Sequence, residues 1–350
     1  MAVIYLMFCL LVLVGLCSLA VDYGRVQLAK TELRAAADSA ARAAAANIPN
    51  DSVSARQVGR SYATLNRADG RPVELDVSND LKIGRWDPAT RSFSELGGWQ
   101  LSSANAVQVI ARRSGARANA LPMMFASLLG FDSIDVSAES IAMVIPAISV
   151  DQNVLATGNP FLAGMPPGSV ASRNNPHNSP DYAGTSGNPR QSPQLVLSLP
   201  LVEGQVLSFD SISGTARHDP NLPYYQPDGQ LDDVGRNTNG NENGIADTRC
   251  PINALVGVFL TDERPDRTAA PPNLDFSTAD KRNFTRLEPQ CKQIFFIGDG
   301  RRDDGMPQQF VVPRGATRLY LATWDFYEWN NNFGQRRVRI ERSMKIITVK

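Results

Sequence analysis

Between Trp324 and Gly334 the chain reads WDFYEWNNNFG, directly after the apolar run Leu319–Thr323. This short stretch concentrates side-chain oxygen: the carboxylates Asp325 and Glu328 and the amides Asn330, Asn331 and Asn332. A hard cation such as calcium takes roughly six to eight oxygen ligands at about 2.3–2.6 Å, drawn from carboxylates, amide carbonyls and backbone. The segment has the donor types for such a site. With only Asp325 and Glu328 supplying charge, affinity should be modest and suited to an extracellular calcium level. The aromatics Phe326, Tyr327 and Trp329 either offer a sugar an apolar face or pack around the base of the loop, and the residues alone leave both readings open.

Other chemistries find little support. A second oxygen-rich stretch, Asn237–Asp247, alternates like a DxDxDG calcium loop, but Asn replaces Asp at the alternating positions and Cys250 stands where a bidentate Glu belongs. It is not expected to hold a metal alone. The chain has two histidines, His177 and His218, and contains no HExxH, GxSxG or Walker A motif. The adjacent pairs Asp232-Asp233 and Asp303-Asp304 should diverge on a strand and read as solvated loop charge. No enzyme is expected. Cys9 and Cys17 fall in an apolar run, and the four cysteines lack CxxC spacing. In an oxidising compartment Cys250 and Cys291 can form a disulfide closing about forty residues; the alternative is two free thiols. Lys and Arg number 35 against 35 Asp and Glu, so no broad positive field exists to collect phosphates and nucleic acid is not an expected partner.

Several elements must position these groups. The 350-residue chain is long enough for two lobes. Ala2–Val21 is twenty residues without a charge, and at 1.5 Å per residue such a helix crosses about 30 Å of hydrocarbon. A cleaved secretory signal ending near Ser18-Leu19-Ala20 is the competing reading. The alanine-rich stretch to Ala46 should continue the helix until Ile48-Pro49-Asn50 stops it. Val26, Leu33, Ala37 and Ala40 would then share a narrow face suited to a partner helix, the alternative being a solvated stalk. These form region 1–50.

Region 51–155 reads as an α+β domain with a structural role. It has a second helix over 51–69, a turn at Asp69–Pro72, strands at 73–77, 81–86, 106–112 and 135–145, and a short apolar helix over 121–129. Region 156–193, rich in Pro, Gly, Asn and Ser, reads as a linker or long loops, with His177 as a solvated loop histidine. From Gln194 to Lys350, short apolar runs bounded by Gly, Pro, Asn or Asp predict an all-β antiparallel sandwich.

Two resemblances extend this reading. The apolar span, Val21-Asp22-Tyr23-Gly24-Arg25 and the alanine-rich Leu33–Ala46 resemble TadE/TadG-like proteins of bacterial tight-adherence (Flp) pilus assembly. The likeness continues through Leu81–Pro88, Asn105–Val109 and Val136–Ala138. It implies a single-pass inner-membrane anchor, a pseudopilin-like domain, partner subunits met through the helix, and most of the chain in the periplasm or outside the cell. Arg25 and Lys30 by themselves would draw the carboxyl side toward the cytoplasm. The resemblance implies the reverse, and a basic stub before Met1, upstream or trimmed, is expected with it.

The stretch Gln194–Ile340 resembles the calcium-dependent, galactose-binding PA-IL type lectins, in the pattern of a strand, Asp325, a short excursion and Asn331-Asn332-Phe333-Gly334. That resemblance implies a galactose-binding-like fold with calcium held by side-chain oxygens of Asp325, Asn331 and Asn332. Two backbone carbonyls, near Trp329 and at His218, would complete the set. Two hydroxyls of a glycan would join the ion, with Asp325, Phe326, Asn332 and Asn243 around the sugar. The excursion is one residue shorter than the pattern, and Asp262–Glu288 is an insertion. The main competing function class is a purely structural assembly protein whose sandwich makes protein contacts, and the third is glycan hydrolysis by distant carboxylates.

Overall fold

The structure, a computed structural model, describes residues 2–48, 51–184 and 191–349. The chain forms two compact units, residues 1–146 with 345–350, and residues 147–344.

The amino-terminal unit lays two helices on an antiparallel sheet. Helix α1 runs Ala2–Asn47, sustained by alanine, which costs no side-chain entropy in a helix. Helix α2, Ser52–Thr64, begins where the Asp51 carboxylate accepts the Ser54 N–H at 2.8 Å, an N-cap that satisfies one orphan donor of the first turn. The small side chains of α1 from Ala29 to Ala45, with Leu33 among them, are buried against Ala55 and Ala63 of α2 and against the sheet. At Gly59 a Cβ would lie 2.6 Å from Leu81 Cδ1 and 3.1 Å from Ala44 Cβ. The expected partner-helix face is therefore consumed inside the unit, with Leu33, Ala37 and Ala40 buried and Val26 partly buried against them. Among the described residues, no helix is long and apolar enough to cross a membrane.

The sheet runs, in spatial order, Lys345–Thr348, Val136–Ile145, Ala106–Arg113, Leu81–Asp87 and Ser92–Glu95, all antiparallel. Its first strand comes from the far end of the chain, so the second unit is inserted between two paired strands of the first. Two expected elements differ. Residues 73–77 are irregular, although Val73 and Leu75 are buried. There the Asp76 side chain accepts the Ser78 N–H and the Asn79 amide and bends the chain into a turn. The expected helix over 121–129 is a two-residue strand, Leu121–Pro122, followed by one 3₁₀ turn at Ala126–Leu129.

The carboxyl-terminal unit packs two sheets over one core. One sheet is ordered Gln194–Leu195, Arg318–Thr323, Leu255–Leu260, Ile294–Phe296, and the other Arg286–Leu287, Gln309–Val311, Val206–Arg217, Phe333–Arg342, Ile148–Leu155. All pairings are antiparallel except that of Arg286–Leu287 with Gln309–Val311. Every residue of Leu255–Leu260 is buried, as a central strand covered on both faces requires. Phe295 and Phe310, one from each sheet, meet at 5.5 Å between ring centroids.

The boundary falls at 146/147, not near 156, because Ile148–Leu155 pairs along its whole length with Phe333–Arg342. Of the two readings of region 156–193, a linker or long loops, the described residues take the second, as loops anchored in the core. Phe161, Leu162, Ala163, Ala171 and Ala183 join the core, and Val170–Ala171 pairs with Asp181–Tyr182. Its small polar residues turn the chain tightly while a few apolar ones anchor it; the polar composition hid those anchors.

Candidate functional site

Residues 324–332 carry the chain from one sheet to the other, out of strand Arg318–Thr323 and into strand Phe333–Arg342. Two tryptophans fasten the loop. Trp324 and Trp329 are wholly buried with ring centroids 6.1 Å apart, and Phe161 lies 6.0 Å from each. The Trp329 indole donates to the Thr323 carbonyl at 2.6 Å. Gly334 closes the loop at φ +103, and a Cβ there would meet the Thr215 carbonyl at 2.2 Å, so only glycine lets these strands approach.

Inside this frame lie the three side chains singled out as ligands. Asp325 Oδ1 accepts the Phe326 N–H at 2.6 Å, while Oδ2 has no partner. Asn332 donates its amide to the Ala156 carbonyl at 3.1 Å, leaving Oδ1 without a partner. Asn331 donates to Glu328 Oε1 at 2.7 Å, and its Oδ1 is likewise unpartnered. Each amide is thus held by its nitrogen with its oxygen unspent. Asp325 and Asn332 are only 3% and 5% exposed, and a buried oxygen without a donor is costly. The Trp329 carbonyl accepts the Asn332 N–H at 3.2 Å and keeps its second lone pair. His218 joins the set indirectly: its Nδ1 lies 2.8 Å from Asn253 Nδ2, and the Asn253 N–H donates to the Trp324 carbonyl. Burial lowers the His218 pKa. Arg336, fully buried, reaches Thr323 Oγ1 and the carbonyls of Asn253 and Gln226, and so ties the loop's start to the neighbouring strands. Burial lowers its pKa to about 10.

The residue that sequence reasoning missed is Asp181. Wholly buried, its Oδ2 accepts the Trp329 N–H at 3.1 Å and the Asn159 amide at 3.0 Å, while Oδ1 has no partner. Its contact with Trp329 spans 148 positions, and nothing in its proline- and serine-rich surroundings signals it. Burial, with the charge of Asp181 adding to it, pushes the Asp325 carboxyl up to about 7; burial pushes Asp181 up to about 6.

The same segment supports the loop's outer side. The Asn330 amide donates to the Ser179 carbonyl at 2.8 Å, and His177 Nδ1 sits 2.5 Å from Glu328 Oε1 with its ring edge-on to Tyr327. His177 is therefore paired rather than simply solvated, and Glu328 is already engaged by His177 and Asn331. Phe326 packs on Gly235, where a Cβ would lie 2.8 Å from the ring, so Phe326 and Trp329 both serve packing. Asn243 spends both amide hydrogens on the carbonyls of Phe161 and Val170. The loop Asn237–Asp247 is closed on itself by Asn237–Glu242, Asn237–Asp247 and Asn241–Asp247 hydrogen bonds.

The cysteine pair does not bond. Cys250 is a free thiol, fully buried in the core, and Cys291 is a free thiol directed at the Arg314 carbonyl at 3.7 Å. Cys250 lies in strand Thr248–Ile252 and Cys291 in a turn before strand Ile294–Phe296. Among the described residues no three His, Cys, Asp or Glu side chains are grouped to hold a metal ion. Any cation here would rest on carboxylate and amide oxygens together.

Comparison with known proteins bears on the amino-terminal unit. Residues 1–47 match the Flp pilus-assembly TadE/G-like family and residues 27–142 the Tad-like Flp pilus-assembly family. The amino-terminal unit is thus similar to Tad pilus-assembly proteins, and both matched segments lie in the unit of helices α1 and α2. No curated protein and no solved structure matches the chain.

Proposed function

We propose that this Tad-related chain is a membrane-anchored component of a pilus assembly whose carboxyl-terminal unit binds carbohydrate through calcium. The apolar run Ala2–Val21 would be a single-pass anchor in the bacterial inner membrane, with the bulk of the chain on the periplasmic or extracellular side. What supports an anchor is the exposure of Ile4, Tyr5, Leu6, Met7, Leu10, Leu13, Leu16 and Leu19, which leaves apolar side chains on every side of α1.

The single observation that carries the binding reading is the set of unspent oxygens, Asp325 Oδ2, Asn331 Oδ1 and Asn332 Oδ1, within eight consecutive residues of a loop whose asparagine side-chain nitrogens are engaged. These would hold calcium, with the Trp329 carbonyl and the backbone at His218 completing the shell. Asp181 braces the loop from behind and adds a second negative charge. The ion supplies a Lewis-acidic centre on which two sugar hydroxyls can sit. The chain's own part is to fix the donors and to neutralise the ion. Asn243 would act on the pocket only by holding residues 161 and 170 in place, and Phe326 by its packing on Gly235.

One observation favours the other class, a structural protein with no ligand: the residues expected around the sugar, Asn243 and Phe326, are turned to internal contacts. Retention of the full chain on immobilised galactose in calcium, and its release by chelator, separates the two. Retention unaffected by chelator, or none in either condition, removes the calcium-lectin reading.

A further inference from the structure

The segment 118–131, ANALPMMFASLLGF, is fourteen residues without a charge, in a connection between strands where polar residues are the rule. It is held at one height on α1. Asp22, the first charged residue after the apolar run, accepts three backbone N–H groups from it: Met124 at 2.8 Å, Phe125 at 2.9 Å and Ala126 at 2.7 Å. One turn further, Arg25 donates to the Pro122 carbonyl at 3.0 Å and ion-pairs with Asp69. The first two charges beyond the apolar run are therefore consumed internally, and the backbone of the loop is pinned beside the helix where that run ends.

Side chains of this loop nevertheless face outward. Met124 is 58% exposed and Phe131 67%, and Val21 and Tyr23, the residues on either side of Asp22 on the helix, are exposed as well. Apolar residues grouped this way do not suit water. Their continuity with the apolar part of α1, the lack of charge and the aromatic character at this height fit one occupant, the boundary between lipid headgroups and acyl chains, where amphipathic and aromatic side chains gather.

We infer that the loop 121–131 is a membrane-interface wedge: it dips into the outer edge of the bilayer beside α1 and, through the Asp22 clamp, sets how the amino-terminal unit stands on the membrane. This rests on the anchor reading of Ala2–Val21, and the test separates the two. The full chain is placed in phosphatidylcholine vesicles carrying bromine either near the headgroup or deep in the acyl chain. Tryptophan quenching is measured for Phe131→Trp and Leu10→Trp, each against the unsubstituted chain. The expected result is deep quenching of the tryptophan at 10 and, at 131, several-fold stronger quenching by shallow than by deep bromine. Quenching at 10 but not at 131 overturns the wedge and leaves the anchor. Aqueous iodide then tells whether the loop is free in water or covered by another protein copy, and either outcome is against the wedge. No quenching at 10 removes the anchor reading and the wedge with it.

Discussion

In the amino-terminal unit the buried acids have used up their oxygens. Asp22 accepts three backbone N–H groups, and Asp80 accepts Arg112, both terminal nitrogens of Arg117 and the Asp76 N–H. In the carboxyl-terminal unit Asp181 and Asp325 are as deeply buried, yet each keeps one oxygen without a donor. Among the described residues, every buried side-chain polar atom lacking a partner falls in this second unit. Burial of a carboxylate is thus no mark of a site by itself. The mark is a buried carboxylate whose surroundings stop short of completing its shell, because such a group must either take up a proton or meet a counter-charge from elsewhere.

That contrast can be broken first where it is most complete. Asp80→Ala should cost the amino-terminal unit about 3 kcal/mol, since it strands Arg112 and Arg117 and the Asp76 N–H. Urea unfolding should show this loss unchanged by calcium. The unsubstituted chain, by contrast, should gain about 2.7 kcal/mol in its carboxyl-terminal transition at calcium a hundredfold above its Kd. Asp325→Asn should abolish that gain while leaving the calcium-free stability equal or higher, because a neutral amide avoids burying a charge.

The raised pKa values of Asp325, about 7, and Asp181, about 6, give a third outcome. Between the unfolded value near 4 and these folded values the native state binds more protons than the unfolded one. The contribution of these two carboxyls to calcium-free stability should therefore be fullest below pH 4 and be lost as pH rises through 6 to 7, by at most about 1.4 kcal/mol per pH unit for each carboxyl. Calcium, which needs both groups ionised, should raise the melting temperature more at pH 8 than at pH 5. Asp181→Asn should weaken calcium binding about 10- to 100-fold through loss of charge behind the loop. His177→Ala removes a contact to Glu328 whose histidine is largely exposed and should change stability by less than about 1 kcal/mol.

Much of the fold was legible because periodicity and composition are local. The alanine run gave α1, and the runs at 206–212, 254–260, 319–323 and 337–340 each lie within or along a strand. That Asp325, Asn331 and Asn332 share one loop between two strands was legible too, because they are close in sequence. What stayed hidden depends on distant contacts. Asp181 acquires its role from Trp329, and Ile148–Leu155 and Lys345–Thr348 each join the sheet of the unit that the sequence boundary would have denied them. Residues 73–77 alternate like a strand but lose their ladder to the Asp76 turn, a side-chain competition that alternation does not record.

Equilibrium dialysis of the full chain against calcium at neutral pH, beside Asp325→Asn, tests the unspent-oxygen account most directly. The account predicts one ion per unsubstituted chain, with saturation at millimolar calcium or below, and none on the variant. Equal uptake by the two, or none by either, would contradict it.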